Sequence, residues 1–184
     1  QDQLKNMNLL ANGINYFSVE GAPWLLAAWV GLVLLRPLAT FVHEFGHGFA
    51  AYLVTRNIPQ IRIGPISGKR VWKSESLAIF ISLIPSSEGL TSYDEQNLGR
   101  MAQATVLIMG PLFSLAMAIA AANQVMIGIE ETWLEVVTVS WLCANLLAFL
   151  KSALPMRLKP TEAFPAGPPS DGLQLIRLAM GKES

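Results

Sequence analysis

The chain has 184 residues, 52% of them hydrophobic and only 14% charged, with a mean hydropathy of +0.42. Thirteen basic and thirteen acidic residues cancel, so no global field favours nucleic acid or an acidic partner, and the charge content is far below the roughly 25% of an ordinary soluble domain. The single cysteine, Cys143, excludes an internal disulfide.

In chain order, residues 1–20 lack a basic region followed by an apolar one, so no cleavable signal peptide is expected. The first apolar region, residues 23–54, is interrupted by Arg36-Pro37. As one helix it would run about 48 Å, more than a bilayer core of about 30 Å, so it must tilt, kink at Pro37 or break in two. Residues 61–85 hold two short strand-prone runs, Ile61-Arg62-Ile63 and Ser76 to Ser82, separated by Gly64-Pro65, Gly68 and a basic turn. They read as a β-hairpin or a re-entrant loop. Apolar regions at 101–122 and 133–150 are each close to the roughly 20 residues of a transmembrane helix. Residues 151–184 form a loop and a C-terminal amphipathic helix. The expectation is a mainly α, polytopic membrane protein, 1–184 being one domain with about three core spans.

The only two histidines lie four residues apart in His43-Glu44-Phe45-Gly46-His47, inside the first apolar region. Two histidines placed at random fall at that spacing in about one per cent of cases, and here a glutamate also follows the first. On a helix, residues i and i+4 share a face, so both imidazoles reach one metal ion with Glu44 beside it. A catalytic zinc keeps three protein ligands and an open position, and lowers the pKa of water from about 15.7 towards roughly 7. Glu44 is placed to take the proton and pass it to a leaving amine. The plainer alternative is a buried His/Glu/His hydrogen-bond cluster without metal. In lipid these three side chains are expensive unless they face a protein-lined polar cavity, and such residues mark functional sites.

Loop charge orients the spans. Arg56, Arg62, Lys69, Arg70, Lys73 and Arg100 lie between the first and second, and Lys151, Arg157, Lys159, Arg177 and Lys182 follow the third; residues 123–132 carry only Glu130 and Glu131. The positive-inside rule therefore puts the long loop and C-terminus in the cytoplasm and the N-terminus outside. Trp24 and Trp133 fall at the two outer helix ends, as in an aromatic belt.

A third ligand must come from elsewhere, and aspartates occur only at 2, 94 and 171. Asp171 stands in Pro168-Pro169-Ser170-Asp171-Gly172 ahead of an amphipathic run, where Ser170 or Asp171 also reads simply as a helix cap.

From about Leu38 to Leu178 the chain resembles the site-2 proteases, zinc metalloproteases that cut substrates within the membrane. Three matches carry the resemblance: His43 to His47 on the first core helix, Gly110-Pro111-Leu112-Phe113-Ser114 in the next, and Leu154-Pro155 followed by Pro169-Ser170-Asp171-Gly172. The resemblance implies one Zn²⁺ per chain held by His43, His47 and Asp171, with Glu44 as acid/base and Ser114 and Ser152 as contacts to substrate or oxyanion. It further implies a membrane-associated β-hairpin beside the site, where an open strand edge would hold an unwound substrate. Two departures stand out. Ser152 occupies the place, three residues before the proline, where family members often have Asn, and residues 155–171 are long and rich in proline where many members are compact. The implied partners are a transmembrane protein substrate, the lipid bilayer and other membrane proteins, with no nucleic acid. Two rival readings remain: a non-catalytic membrane subunit that keeps the fold as a scaffold, and a metal transporter. The transporter predicts ionisable residues along other spans, and the second and third offer only Glu135, near one end.

Overall fold

The computed structural model describes residues 16–64, 70–74, 79–82, 88–94, 98–160 and 164–181. Its elements are α1 (Ala22–Thr55), β1 (Gln60–Ile63), β2 (Arg70–Ser74), β3 (Ile79–Ser82), β4 (Gly89–Ser92), α2 (Arg100–Ile127), α3 (Thr132–Ala153) and α4 (Asp171–Ala179). The protein is mainly α, and α1, α2 and α3 are each long and apolar enough to cross a membrane. Trp24 and Trp133 lie in the first turns of α1 and α3, both exposed.

The first apolar region is one helix of 34 residues that runs through Pro37. At 1.5 Å per residue it is about 51 Å long, so it outreaches a bilayer core or tilts strongly within it. Its two halves differ. Large apolar side chains such as Trp29, Val33 and Leu34 are exposed in the first half, whereas Glu44, Gly46, His47, Gly48, Ala50 and Ala51 are buried in the second.

Each of the three long helices packs against the other two, and small residues set how closely. A Cβ on Gly31 would fall against the side chain of Ser140, whose hydroxyl bonds the Ala28 carbonyl 2.9 Å away. A Cβ on Gly46 would strike the Met109 carbonyl and Gly110 of α2. Phe45 and Phe49 of α1 pack on Phe113 of α2 with ring centroids 5.9 and 6.0 Å apart. At the other end of α3, the Tyr16 hydroxyl donates to buried Glu135 over 3.5 Å, tying the segment before α1 to the bundle.

The β segment is more than the expected hairpin. β2 and β3 form an antiparallel hairpin, and β3 then pairs in parallel with β1, which pairs antiparallel with β4, giving the order β2-β3-β1-β4. The stretch expected as a basic turn contains β2, because Arg70-Val71-Trp72-Lys73 places strand-forming residues among the charges and the ladder to β3 holds them extended. Gly89-Leu90-Thr91-Ser92 carries little intrinsic strand signal and is held by its register on β1, Thr91 opposite Ile61. Part of the predicted second run, residues 76–78, and residues 83–85 lie outside the described residues. The sheet docks on the second half of α1 through Ile61 and Ile63, both buried, with Phe41 packed against them.

Candidate metal centre

Three side chains from the two ends of the fold meet at one point. His43 and His47 project from the buried half of α1, and Asp171 is the first residue of α4. His43 Nε2 lies 3.1 Å from Asp171 Oδ2 and 3.1 Å from His47 Nε2, and His47 Nε2 is 3.5 Å from the same Oδ2. Four tetrahedral positions about 2.1 Å from a zinc ion lie about 3.4 Å from one another. The triangle of donor atoms fits that spacing. Two imidazole nitrogens and one carboxylate oxygen, with a fourth position open, are also the donor set of a catalytic rather than a structural zinc. The side chains of His43 and Asp171 are 12% and 13% exposed, enough for a small molecule to reach a point otherwise enclosed by protein.

Each imidazole is fixed from behind. His47 Nδ1 donates to the Val106 carbonyl of α2 at 2.7 Å, and His43 Nδ1 meets Ser114 Oγ of the same helix at 3.2 Å. Both contacts leave Nε2 facing the meeting point, as metal-ligating histidines require. His47 approaches α2 so closely that a Cβ on Gly110 would overlap its ring. The Gly-Pro element therefore has a local task, because glycine makes room for the ring.

Asp171 reaches the site because the chain after α3 is stapled. Ser170, 1% exposed, caps α4 by accepting from the Leu173 N–H at 3.2 Å, and its hydroxyl also accepts from the Met156 N–H at 3.1 Å while donating to the Leu154 carbonyl. All three valences of one hydroxyl are used. Arg157 pairs with Pro169, and Leu158 donates to the Pro168 carbonyl at 2.8 Å. The proline-rich segment is thus a closed excursion that returns to the end of α3, and its length does not move Asp171 away. Ser170 being the cap, Asp171 keeps its carboxylate for the site. Burial alone would raise its pKa, but the contacts with His43 and His47 and their charge outweigh burial and hold the carboxyl well below the usual range.

Glu44, 8% exposed, stands on the same turn as His43 and faces β4. Its Oε2 accepts from the Thr91 hydroxyl at 2.7 Å, and a Cβ on Gly89 would collide with its carboxylate. Ser114 is fully buried and belongs to the site through His43. Ser152 is brought near but not in: its hydroxyl turns back to the Phe149 carbonyl of its own helix at 3.4 Å. Thr91, Val106 and Ser170 complete the surroundings; Thr91 and Val106 are absent from the motifs, while Ser170 stands in one as the residue before Asp171. Only Ser170 had a visible signal, its place before an amphipathic run. Asn145, fully buried on α3, donates to the Trp141 carbonyl at 2.9 Å, and its Oδ1 has no partner among the described residues. An amide within an apolar span was its sequence signal.

Residues 21–158 match the family described as Peptidase M50B-like. No curated protein and no solved structure matches the chain.

Proposed function

The chain belongs to the Peptidase M50B-like family, a site-2 protease family, and from that premise we propose that it is an intramembrane zinc endopeptidase that hydrolyses peptide bonds of membrane-embedded proteins. The observation that carries the reading is the triangle of His43 Nε2, His47 Nε2 and Asp171 Oδ2, all within 4.8 Å of one another, with Glu44 following His43 on the same turn of α1. His43, His47 and Asp171 would hold one zinc ion. When bound, zinc supplies a Lewis acid for the scissile carbonyl and brings the pKa of water near neutrality. Glu44 takes the proton from the attacking water and returns it to the departing amine nitrogen. The Thr91 hydroxyl holds one oxygen of Glu44 and leaves the other for that transfer. β4 ends the sheet and lies against Glu44, so an unwound substrate segment adds to its open edge and brings a backbone carbonyl to the site. The long loop and the C-terminus face the cytoplasm in this reading, and the N-terminus faces outside.

One observation favours the rival, a non-catalytic scaffold of the same fold. Ser152 stands where the resemblance leads to the expectation of asparagine, and its hydroxyl turns back to the Phe149 carbonyl of its own helix.

The deciding experiment compares purified, detergent-solubilised protein with its Glu44→Gln variant on a model transmembrane substrate, with zinc quantified in both. About one zinc per chain in each, with cleavage reduced about 10²- to 10⁴-fold in the variant, is the expected result. Equal zinc with no cleavage by either protein favours the scaffold.

A further inference from the structure

The approach to Glu44 is walled on two sides. β4 forms one wall: a Cβ on Gly89 would collide with the Glu44 carboxylate and with Thr40, and Glu88 stands immediately before that glycine. Arg36, Thr40 and Glu44 share one stripe of α1 along this wall, and Thr40 donates to the Arg36 carbonyl at 3.0 Å. The last turn of α3 forms the other wall, since a Cβ on Gly172, the residue after Asp171, would strike the Ala153 carbonyl. Lys151 belongs to that turn and is exposed. Its ammonium lies within electrostatic reach of Glu44 and Glu88 as well as of Arg36 and Lys159. A lysine at the end of a membrane helix ordinarily serves only to anchor it among lipid headgroups. This one feels both the acid/base and the residue that precedes β4, so its charge extends over the gap between the walls.

We propose that Lys151 is a specificity-determining residue that selects substrates carrying an acidic side chain beside the scissile bond. The inference rests on the protease reading above, in which an unwound segment adds to β4 and so enters this gap. The charges there favour an acid. Arg36, Lys151 and Lys159 stand against Glu44 and Glu88, three cations to two carboxylates, and Glu44 is already held by Thr91. No hydrogen bond or ion pair occupies the Lys151 ammonium among the described residues, so an incoming carboxylate displaces no partner. A neutral segment binds the strand edge through its backbone alone; an acidic one adds a charged contact, which acts on selection more than on the chemical step. Ser152, the next residue, does not share the task, because its hydroxyl returns to the Phe149 carbonyl.

The test uses fluorescent model transmembrane peptides of one sequence that carry either aspartate or asparagine at one of the residues flanking a helix-breaking Gly-Pro pair. Binding is measured by anisotropy on the full chain in detergent, in a Glu44→Gln background so that nothing is cut, and kcat/KM is measured with Glu44 intact. For at least one placement the aspartate peptide should bind about three- to tenfold tighter than its asparagine twin, with the gap shrinking as salt is raised. Lys151→Met should close the gap, Lys151→Arg should keep it, and Arg177→Met, which removes a cation of α4, should leave it unchanged. Zinc content should be the same in all. Equal binding of every pair, a gap that survives Lys151→Met, or loss of zinc in Lys151→Met overturns the role of Lys151 and leaves the protease reading standing. A Lys151-dependent gap in binding with no cleavage of any peptide by the Glu44 protein overturns the protease reading instead, and supports Lys151 as the residue by which the fold recognises an acidic segment.

Discussion

At the scale of single residues, the sequence motif and the site it forms coincide where the contact is local and part where it is not. His43, Glu44 and His47 were legible because helical spacing alone brings them together. Thr91 and Val106 were not, because one arrives on a four-residue strand and the other contributes only its backbone. Thr91 carries a prediction. Thr91→Val keeps the shape and removes the hydroxyl from Glu44; a hydrogen bond to a charged group is worth about 1.5–3 kcal/mol, so kcat should fall about 10- to 100-fold. Zinc content should be unchanged, and Thr91→Ser should restore the rate. Loss of zinc in Thr91→Val would mean that β4 supports the metal ligands rather than the acid/base. Gly110 carries a second. Glycine to alanine in a helix interior ordinarily gains about 1 kcal/mol, yet a Cβ here overlaps the His47 ring. Gly110→Ala should therefore weaken zinc binding at least about tenfold, and undiminished affinity would show that the ring has room to retreat.

At the scale of elements, the three long helices were readable from apolar length, while their boundaries and the sheet were less so. α1 is unbroken despite Arg36-Pro37, because a proline removes one hydrogen bond and the remaining ladder, with packing against α2 and α3, carries the helix past it. The strands were half legible: β1 is apolar enough to announce itself, whereas β2 is masked by its arginine and lysine, and β4 exists only through pairing with β1. α4 announced itself by its amphipathic run, but the folding back of residues 155–170 did not, since it depends on one serine joining positions fourteen and sixteen residues away. Removing that hydroxyl by Ser170→Ala should cost about 1 kcal/mol as a lost cap, and the tie from α4 to Leu154 and Met156 is lost with it. The expected outcome is a lower thermal midpoint together with weaker zinc binding. A fall in stability with zinc affinity intact would show that Asp171 is held by something other than the staple.

At the scale of the whole molecule, three apolar helices enclose a polar point that lipid would not tolerate alone. Trp24 and Trp133 start α1 and α3 at the same end, and nineteen residues separate each from His43 and Ser152 respectively. That is about 28 Å of helix, close to one hydrocarbon core. With the orientation proposed above, this measure sets the site at the cytoplasmic border. In a Cys143→Ala protein, single cysteines introduced at Glu130 and at Lys159 should react with an impermeant reagent from opposite sides of the membrane, Lys159→Cys from the cytoplasm. Labelling of both from one side would undo the three-span topology.

The closed excursion after α3 has a further consequence for how the protein is made. His43 and His47 lie on α1, and Asp171 opens α4. During synthesis the chain can enter the membrane and assemble its three helices while the metal point still lacks its carboxylate. The cluster of His43, His47 and Asp171 is complete only when Asp171 has been translated and Ser170 has fastened it to the end of α3.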